Sequence, residues 1–138
     1  MNKVHRKVEY SLMALKHMSL KRPGELTTAK EVSERYDAPF ETIARALQMM
    51  AQRGLLRSEQ GAQGGYSISR DLGAVTLLDL VETMEGPTRI AKCLGHGESC
   101  DIQGKCNIQS PIQNLNLRLK GFYQSVSLQD LLQTGGER

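Results

Sequence analysis

All three cysteines of this 138-residue chain lie in one stretch, Cys93-Leu-Gly-His-Gly-Glu-Ser-Cys100-Asp-Ile-Gln-Gly-Lys-Cys106. Six residues separate the first two and five the last two. Three glycines, charged residues and only two apolar residues, Leu94 and Ile102, lie between them. Such a segment cannot bury enough apolar surface to offset its own ordering entropy. Cysteine is normally a buried residue, yet here it is confined to the most polar part of the chain. Thiolates on a metal centre would order the stretch from within.

The rest of the chain bounds the fold. One domain, or one domain with an appendage, is expected at this length. Apolar residues make up 39%, with no Trp and two Phe. The core is therefore expected to be helices packed on Leu, Ile, Val, Ala and Met, with a second subunit completing the burial. The formal charge of +3 permits a nucleic-acid role without arguing for one. Its distribution says more: Lys3, Arg6, Lys7, Lys16, Lys21 and Arg22 stand against Glu9 alone in the first 22 residues, which predicts a basic patch. No apolar run reaches membrane-spanning length, and the N-terminus lacks the apolar centre of a signal peptide. Three cysteines without an export signal argue against a disulfide framework and for the cytoplasm.

Periodicity predicts a first helix over Val4–Leu20, with Val8, Leu12, Leu15 and Met18 or Ser19 on one face. Thr28 and Glu31 form a capping-box signature for a short second helix to Arg35. A turn through Pro39 leads to a third helix ending at Arg53, with Ile43, Ala46, Leu47 and Met50 inward and Gly54 closing it. Two alternating segments flank Gly61-Ala-Gln-Gly-Gly65 and read as a hairpin. A helix-turn-helix followed at once by a hairpin is a winged helix. Thr76 and Asp79 cap a further helix, and Ser110-Pro111 with Gln113 is a third capping signature. The helix that follows carries Ile112, Leu115, Leu119, Phe122 and Val126 at alternating three- and four-residue spacing. An apolar seam on an otherwise polar helix predicts a homodimer. Ser127-Leu-Gln-Asp130 opens a last short helix to Leu132, and a tail without order is expected over Gln133–Arg138.

The expected fold class is therefore mainly α with a small β-hairpin: a winged helix-turn-helix unit over 1–86, a cysteine-rich segment over 87–109, and a dimerisation helix with its tail over 110–138. In that fold the third helix enters the major groove of double-stranded DNA by its N-terminal end. Arg45 can bridge guanine, Glu41 can accept from cytosine, and Thr42 can touch a thymine methyl or a phosphate. Gln60 and Gln63 lie on the wing, whose bare glycine backbone can approach DNA. Arg57, Ser58, Arg70, Thr28 and Lys30 are phosphate candidates.

The metal question stays open at this level. Spacings of six and five do not match the close cysteine pairs of zinc sites, and a larger iron–sulfur centre suits them better. A fourth ligand is needed. His96 and Glu98 lie inside the stretch, and His5, Glu9 and His17 lie on the first helix. Zinc on the three cysteines and His96 is the simplest alternative. No nucleophile, base and orienting group come together and there is no phosphate-binding loop, so an enzyme is not expected. A ferredoxin-like carrier would leave the winged helix unexplained. A constitutive DNA-binding zinc protein and a metal-free thiol switch remain.

Several segments resemble the Rrf-type winged-helix transcription regulators, the family of IscR, NsrR and RirA. They are Glu9-Tyr-Ser-Leu-Met-Ala-Leu15, Gly54-Leu-Leu-Arg-Ser58, Gly61-Ala-Gln-Gly-Gly-Tyr66, Val75-Thr-Leu-Leu-Asp-Leu-Val81 with Glu85-Gly-Pro87, and Ser127-Leu-Gln-Asp-Leu-Leu132. The resemblance covers nearly the whole chain. It implies a dimeric, sequence-specific regulator. Members with the three cysteines bind a 2Fe–2S or 4Fe–4S cluster and sense iron, oxygen, nitric oxide or redox state. In the IscR branch the fourth ligand is a histidine three residues after the last cysteine, where this chain has Gln109. In the NsrR branch it is an acidic residue on the first helix of the other subunit, and the matching position here is Glu9. The ligand set implied by the resemblance is thus Cys93, Cys100, Cys106 and Glu9.

Overall fold

Val8, Ser11, Ala14, Leu15 and Met18 recur at helical spacing, and all five are buried along α1 (Arg6–Ser19) in the computed structural model. The structure describes residues 4–94 and 101–134. Leu12, expected on that face, is half-buried at its edge. Ser11 is tolerated in the core because its hydroxyl donates to the Lys7 carbonyl at 2.7 Å.

The second helix, α2 (Ala29–Tyr36), is capped by Thr28, whose side chain accepts from Glu31 N at 3.1 Å. The expected capping box is only half formed. The Glu31 carboxylate does not return to Thr28; it takes His17 Nε2 and Lys21 Nζ, each at 2.5 Å. An ionised donor such as the Lys21 ammonium makes a stronger hydrogen bond than a backbone N–H; α1 carries His17, and Lys21 follows just beyond its end. His17 Nδ1 meets the Tyr36 hydroxyl at 2.7 Å, with the two rings edge to face. This polar knot ties α1 to α2. Burial pushes the Glu31 carboxyl up, but the hydrogen bonds and charges of His17 and Lys21 outweigh it and hold it below its ordinary 4.5. A carboxylate held low in the folded state stabilises it above its unfolded value, and that stability is lost as pH falls through the folded one. The wild-type stability advantage over Glu31→Gln should therefore be full above about pH 4.5 and shrink below it. Urea melts of both proteins at a series of pH values test this; a gap that persists at acid pH would remove the carboxylate from the account.

Asp37, at a left-handed φ of 52°, turns the chain between α2 and α3 (Phe40–Gln52), a conformation aspartate tolerates better than most residues. Pro39 is the N-cap residue of α3, and Ile43, Ala46, Leu47 and Met50 are buried, as expected. Gly54 closes the helix at φ 81°.

The hairpin pairs β1 (Leu56–Glu59) with β2 (Gly65–Ile68), from Leu56 against Ile68 to Glu59 against Gly65. Leu55 and Leu56 root it in the core, while Arg57, Ser58 and Glu59 are all exposed. The strict alternation expected of a half-buried strand is thus absent: β1 leaves the core after Leu56, while β2 is half-buried throughout, with Tyr66 and Ile68 packed against the core. Thr27 lies against the other edge of β2, exchanging two 2.8 Å backbone hydrogen bonds with Tyr66. A Cβ on Gly65 would stand 2.9 Å from the Thr27 carbonyl oxygen, and one on Gly64 2.5 Å from that of Glu59. These two glycines serve close internal approach. Gly61 alone of the turn's glycines has open space around its Cα.

A 3₁₀ turn over Leu72–Ala74 leads to α4 (Leu77–Glu85), where the capping box of Thr76 and Asp79 is complete, both bonds at 3.0 Å. Leu80 and Met84 of α4 reach the core. The long helix α5 (Gln109–Ser125) starts one residue before Ser110, with Ile108 as N-cap and no side-chain cap, so the expected third capping signature does not form. Pro111 is harmless there because the first turn's N–H groups have no intrahelical acceptor; the Ile112 N–H is the first to find one, at Ile108. Among the described residues α5 buries none fully: Leu115 is 47% exposed, Leu117 67% and Phe122 62%. Val126 leaves the helix in extended conformation and its carbonyl accepts from Leu77 N. The helical seam therefore ends at Phe122 rather than Val126.

The chain then returns. Ser127 caps α6 (Leu128–Gln133), Leu128 is completely buried, and its N–H donates to Val75 at 2.9 Å. Lys16 of α1 donates to the Leu132 carbonyl at 2.5 Å. Residues 127–134 share one core with α1–α4. The helix runs through Gln133, where the tail was expected to begin; residues 135–138 lie outside the described residues.

Candidate nucleic-acid interface and cysteine stretch

The outward arc of α3 presents Glu41, Arg45, Gln48 and Gln52, all exposed, with Thr42 half-buried at one flank and Phe40, 51% exposed, at the first turn. Gln48 and Gln52 were missed by the sequence reading, although Gln48 sits seven residues beyond Glu41 and three beyond Arg45 on one helical face. Glu41, Thr42 and Arg45 also line a cleft of about 240 Å³ with Lys7 of α1, Ala46, Met49 and Met84 of α4.

Next to α3 stands the wing. Ser69 donates from its N–H to Leu55 O and from its hydroxyl to Gly54 O, at 3.1 and 2.8 Å, which fastens the hairpin root to the end of the recognition helix. Arg57, Ser58, Gln60, Gln63 and Arg70 are exposed along it. Among the described residues Arg45, Arg57 and Arg70 make no ion pair within 4.0 Å, leaving their guanidinium groups available to phosphate or base. Thr28 and Lys30 are exposed at the start of α2, with Lys30 4.0 Å from Glu34. The expected N-terminal basic patch is thinned: Lys16 and Lys21 are spent on Leu132, Glu31 and Leu26, while Arg6, Lys7 and Arg22 stay exposed. Lys3 lies outside the described residues.

Cys93 sits in a 3₁₀ turn over Lys92–Leu94, and Cys106 ends another over Gln103–Lys105. Both thiols are unbridged and half-buried. Cys100, His96 and Glu98 lie outside the described residues, and among the described ones no three His, Cys, Asp or Glu side chains gather. Free, partly covered thiols are donors that fit a soft or borderline metal centre. Glu9 is exposed on α1 and, with Val4, His5 and Arg6, lines an open recess of about 610 Å³. Among the described residues it has no ion-pair partner, while His5 takes Glu85 at 3.4 Å. His17 is committed to the knot with Glu31 and Tyr36, so it is not a free ligand. No helix of the described residues is long and apolar enough to cross a membrane.

A three-helix unit with its third helix exposed along one face, and a hairpin fastened beside it, defines a winged helix-turn-helix protein. The chain belongs to the Rrf2 family, described as iron-dependent transcriptional regulators, which it matches over residues 4–134. Members of that family are transcriptional regulators and not enzymes. It is similar to an HTH-type transcriptional regulator of Aquifex aeolicus (strain VF5), 23% identical over 91% of this chain and 88% of the relative. It is likewise 23% identical to the HTH-type transcriptional regulator IscR of Citrobacter koseri, over 91% of this chain and 77% of that one. Among solved structures, CymR, the global cysteine regulator of B. subtilis, superposes with a TM-score of 0.75 at 21% identity, covering 99% of this chain and 100% of its own. The IscR of T. potens does so at 0.69 and 20%, covering 99% and 94%.

Proposed function

We propose that this chain is a homodimeric, sequence-specific DNA-binding regulator of the cytoplasm that senses iron, redox or nitric oxide state through an iron–sulfur cluster. The observation that carries the sensing half is the pair of free, half-buried thiols at the two ends of the one cysteine-bearing stretch. The DNA half is supported by the exposed arc of α3 and the unpaired arginines beside it.

Cys93, Cys100 and Cys106 would hold the cluster of either nuclearity, with Glu9 of the second copy as fourth ligand. When bound, a cluster supplies a centre that reacts with oxygen, nitric oxide or oxidants. The residues do the rest. Glu9 lies on α1, which packs against α3 in the common core, so a ligand bond at Glu9 ties the cysteine stretch of one copy to the recognition helix of the other. A carboxylate is a harder and more readily displaced ligand than a thiolate, which suits a tie meant to be released. Two recognition helices read half-sites at fixed separation, so a small movement of α1 changes operator affinity.

On DNA, Arg45 and Gln48 face base edges, Arg to guanine and Gln to adenine. Glu41 and Thr42 stand beside them, and Gln60 and Gln63 brace the wing. Arg57, Ser58, Arg70, Thr28 and Lys30 hold phosphates. Arg45→Ala should cost roughly 1–3 kcal/mol on a cognate operator, about 5- to 150-fold, and much less on unrelated DNA. Fluorescence anisotropy at two salt concentrations separates the two; equal losses on both DNAs would make Arg45 a phosphate contact.

Anaerobic purification with a visible spectrum and iron and sulfide assays tests the sensing half. Brown protein with matched iron and sulfide, bleached by air or nitric oxide, supports it. Colourless protein with zinc, or with no metal, overturns it and leaves a DNA-binding dimer with structural or thiol-based cysteines. Glu9→Ala should still dimerise but lose its cluster to a chelator at least several times faster; unchanged cluster stability would remove Glu9 from the ligand set.

A further inference from the structure

Residues 87–91 form the arm that carries the chain from α4 to Cys93, and side chains from two helices hold it. The Glu82 carboxylate of α4 accepts from Thr88 N at 2.8 Å. Asn116 of α5 grips the arm twice: its Oδ1 accepts from Ile90 N at 3.1 Å, and its Nδ2 donates to Thr88 O at 3.2 Å. Lys120, one helical turn beyond Asn116, stands 3.7 Å from the same Glu82 carboxylate. Among the described residues, Thr88's hydroxyl oxygen is buried without a partner, so the arm is covered at Thr88, while Pro87, Arg89 and Ile90 are exposed and the arm is held at the surface by these hydrogen bonds.

A side-chain amide that both donates to and accepts from one backbone segment fixes its position and its orientation. Ile90 is three residues from Cys93, a span of at most about 11 Å even fully extended. The 3₁₀ turn closed by Leu94 N on Ala91 O at 3.2 Å shortens it further. Neither α4 nor α5 contacts Cys93 through a hydrogen bond of its own among the described residues; the arm is the link.

We propose that Asn116 is the positioning residue for Cys93. It locks the arm between α4 and α5, so the place of this thiol is set by those two helices through the arm. The consequence for a bound cluster rests on the sensing reading above. There, Asn116 couples the helix carrying the apolar seam to the first ligand, and loosening one loosens the other. The positioning itself does not depend on that reading.

The test uses the full-length, metal-free, reduced protein. A short pulse of N-ethylmaleimide followed by peptide mass spectrometry gives separate labelling rates for Cys93 and Cys106. Losing both hydrogen bonds in Asn116→Ala should speed Cys93 labelling by about five- to thirtyfold, with Cys106 unchanged. Asn116→Asp keeps the acceptor for Ile90 N and should fall between. Asn114→Ala, an exposed asparagine of the same helix, should match wild type. An unchanged Cys93 rate overturns the proposal, and so does equal acceleration at both cysteines, which would mean general loosening. In cluster-loaded protein, Asn116→Ala should release iron to a chelator faster than wild type by a similar factor. If wild-type protein never loads a cluster, the sensing reading fails while the labelling result still decides the positioning.

Discussion

Leu128→Ala should lower the free energy of unfolding by about 2–5 kcal/mol, the range for emptying a fully buried leucine site. Leu128 is 0% exposed and packs in the cluster that holds Val8, Leu15, Leu47 and Leu80. It arrives there from the far end of the chain, held by Ser127 capping α6 and by the hydrogen bond from Leu128 N to Val75 O. Urea denaturation followed by circular dichroism, at matched protein concentration because a dimer's stability depends on it, measures the loss. A cost of about 0.5 kcal/mol or less, the size of a surface change, would mean that α6 is peripheral. Leu132 is only half-buried, so Leu132→Ala should cost clearly less.

Phe122→Glu should do the opposite: leave the isolated fold nearly intact and break the proposed dimer. Phe122 is 62% exposed within the chain, so little intrachain packing is lost. In a seam shared with a second copy, the same change buries an unpaired carboxylate in apolar surroundings, twice per dimer. Sedimentation at micromolar concentration should show monomer. Affinity for an operator with two half-sites should fall by about 100-fold or more, because the second half-site no longer binds as a tethered event. Affinity for a single half-site should stay as it was. A variant that remains dimeric would place the interface elsewhere than Ile112, Leu115, Leu119 and Phe122.

Much of this architecture could be read directly from the chain. The turn at Pro39, the inward face of α3, the Gly54 stop, the capping box of Thr76 and Asp79, the hairpin around Gly61–Gly65 and the Ser127 cap all appear where they were expected. Each rests on hydrogen bonds or backbone geometry spanning a few residues, so the local sequence contains both partners. The exposed arc of α3 is also legible as a pattern, with Gln48 at helical spacing from Glu41 and Arg45.

What the sequence could not settle were the choices among competing partners. Glu31 had a legible local role at the cap, yet His17 of α1 and Lys21 just beyond that helix take its carboxylate instead. Lys16 and Lys21 read as surface charge and are spent on carbonyls and a carboxylate that only folding brings near. Gly64 and Gly65 read as turn residues, and folding adds the close approach of the Glu59 and Thr27 carbonyls that leaves no room for a Cβ at either. Val126 fitted the heptad count but leaves the helix to pair with Leu77. Asn116 reads as one polar residue among several on α5, and only the packing of the 87–91 arm between α4 and α5 gives it two partners. The sequence by itself determined which elements form, because their defining interactions are local. The tertiary structure decided which side chains those elements lend to one another, because a polar group goes to the strongest partner the packed chain puts within reach, and that partner can be anywhere along it.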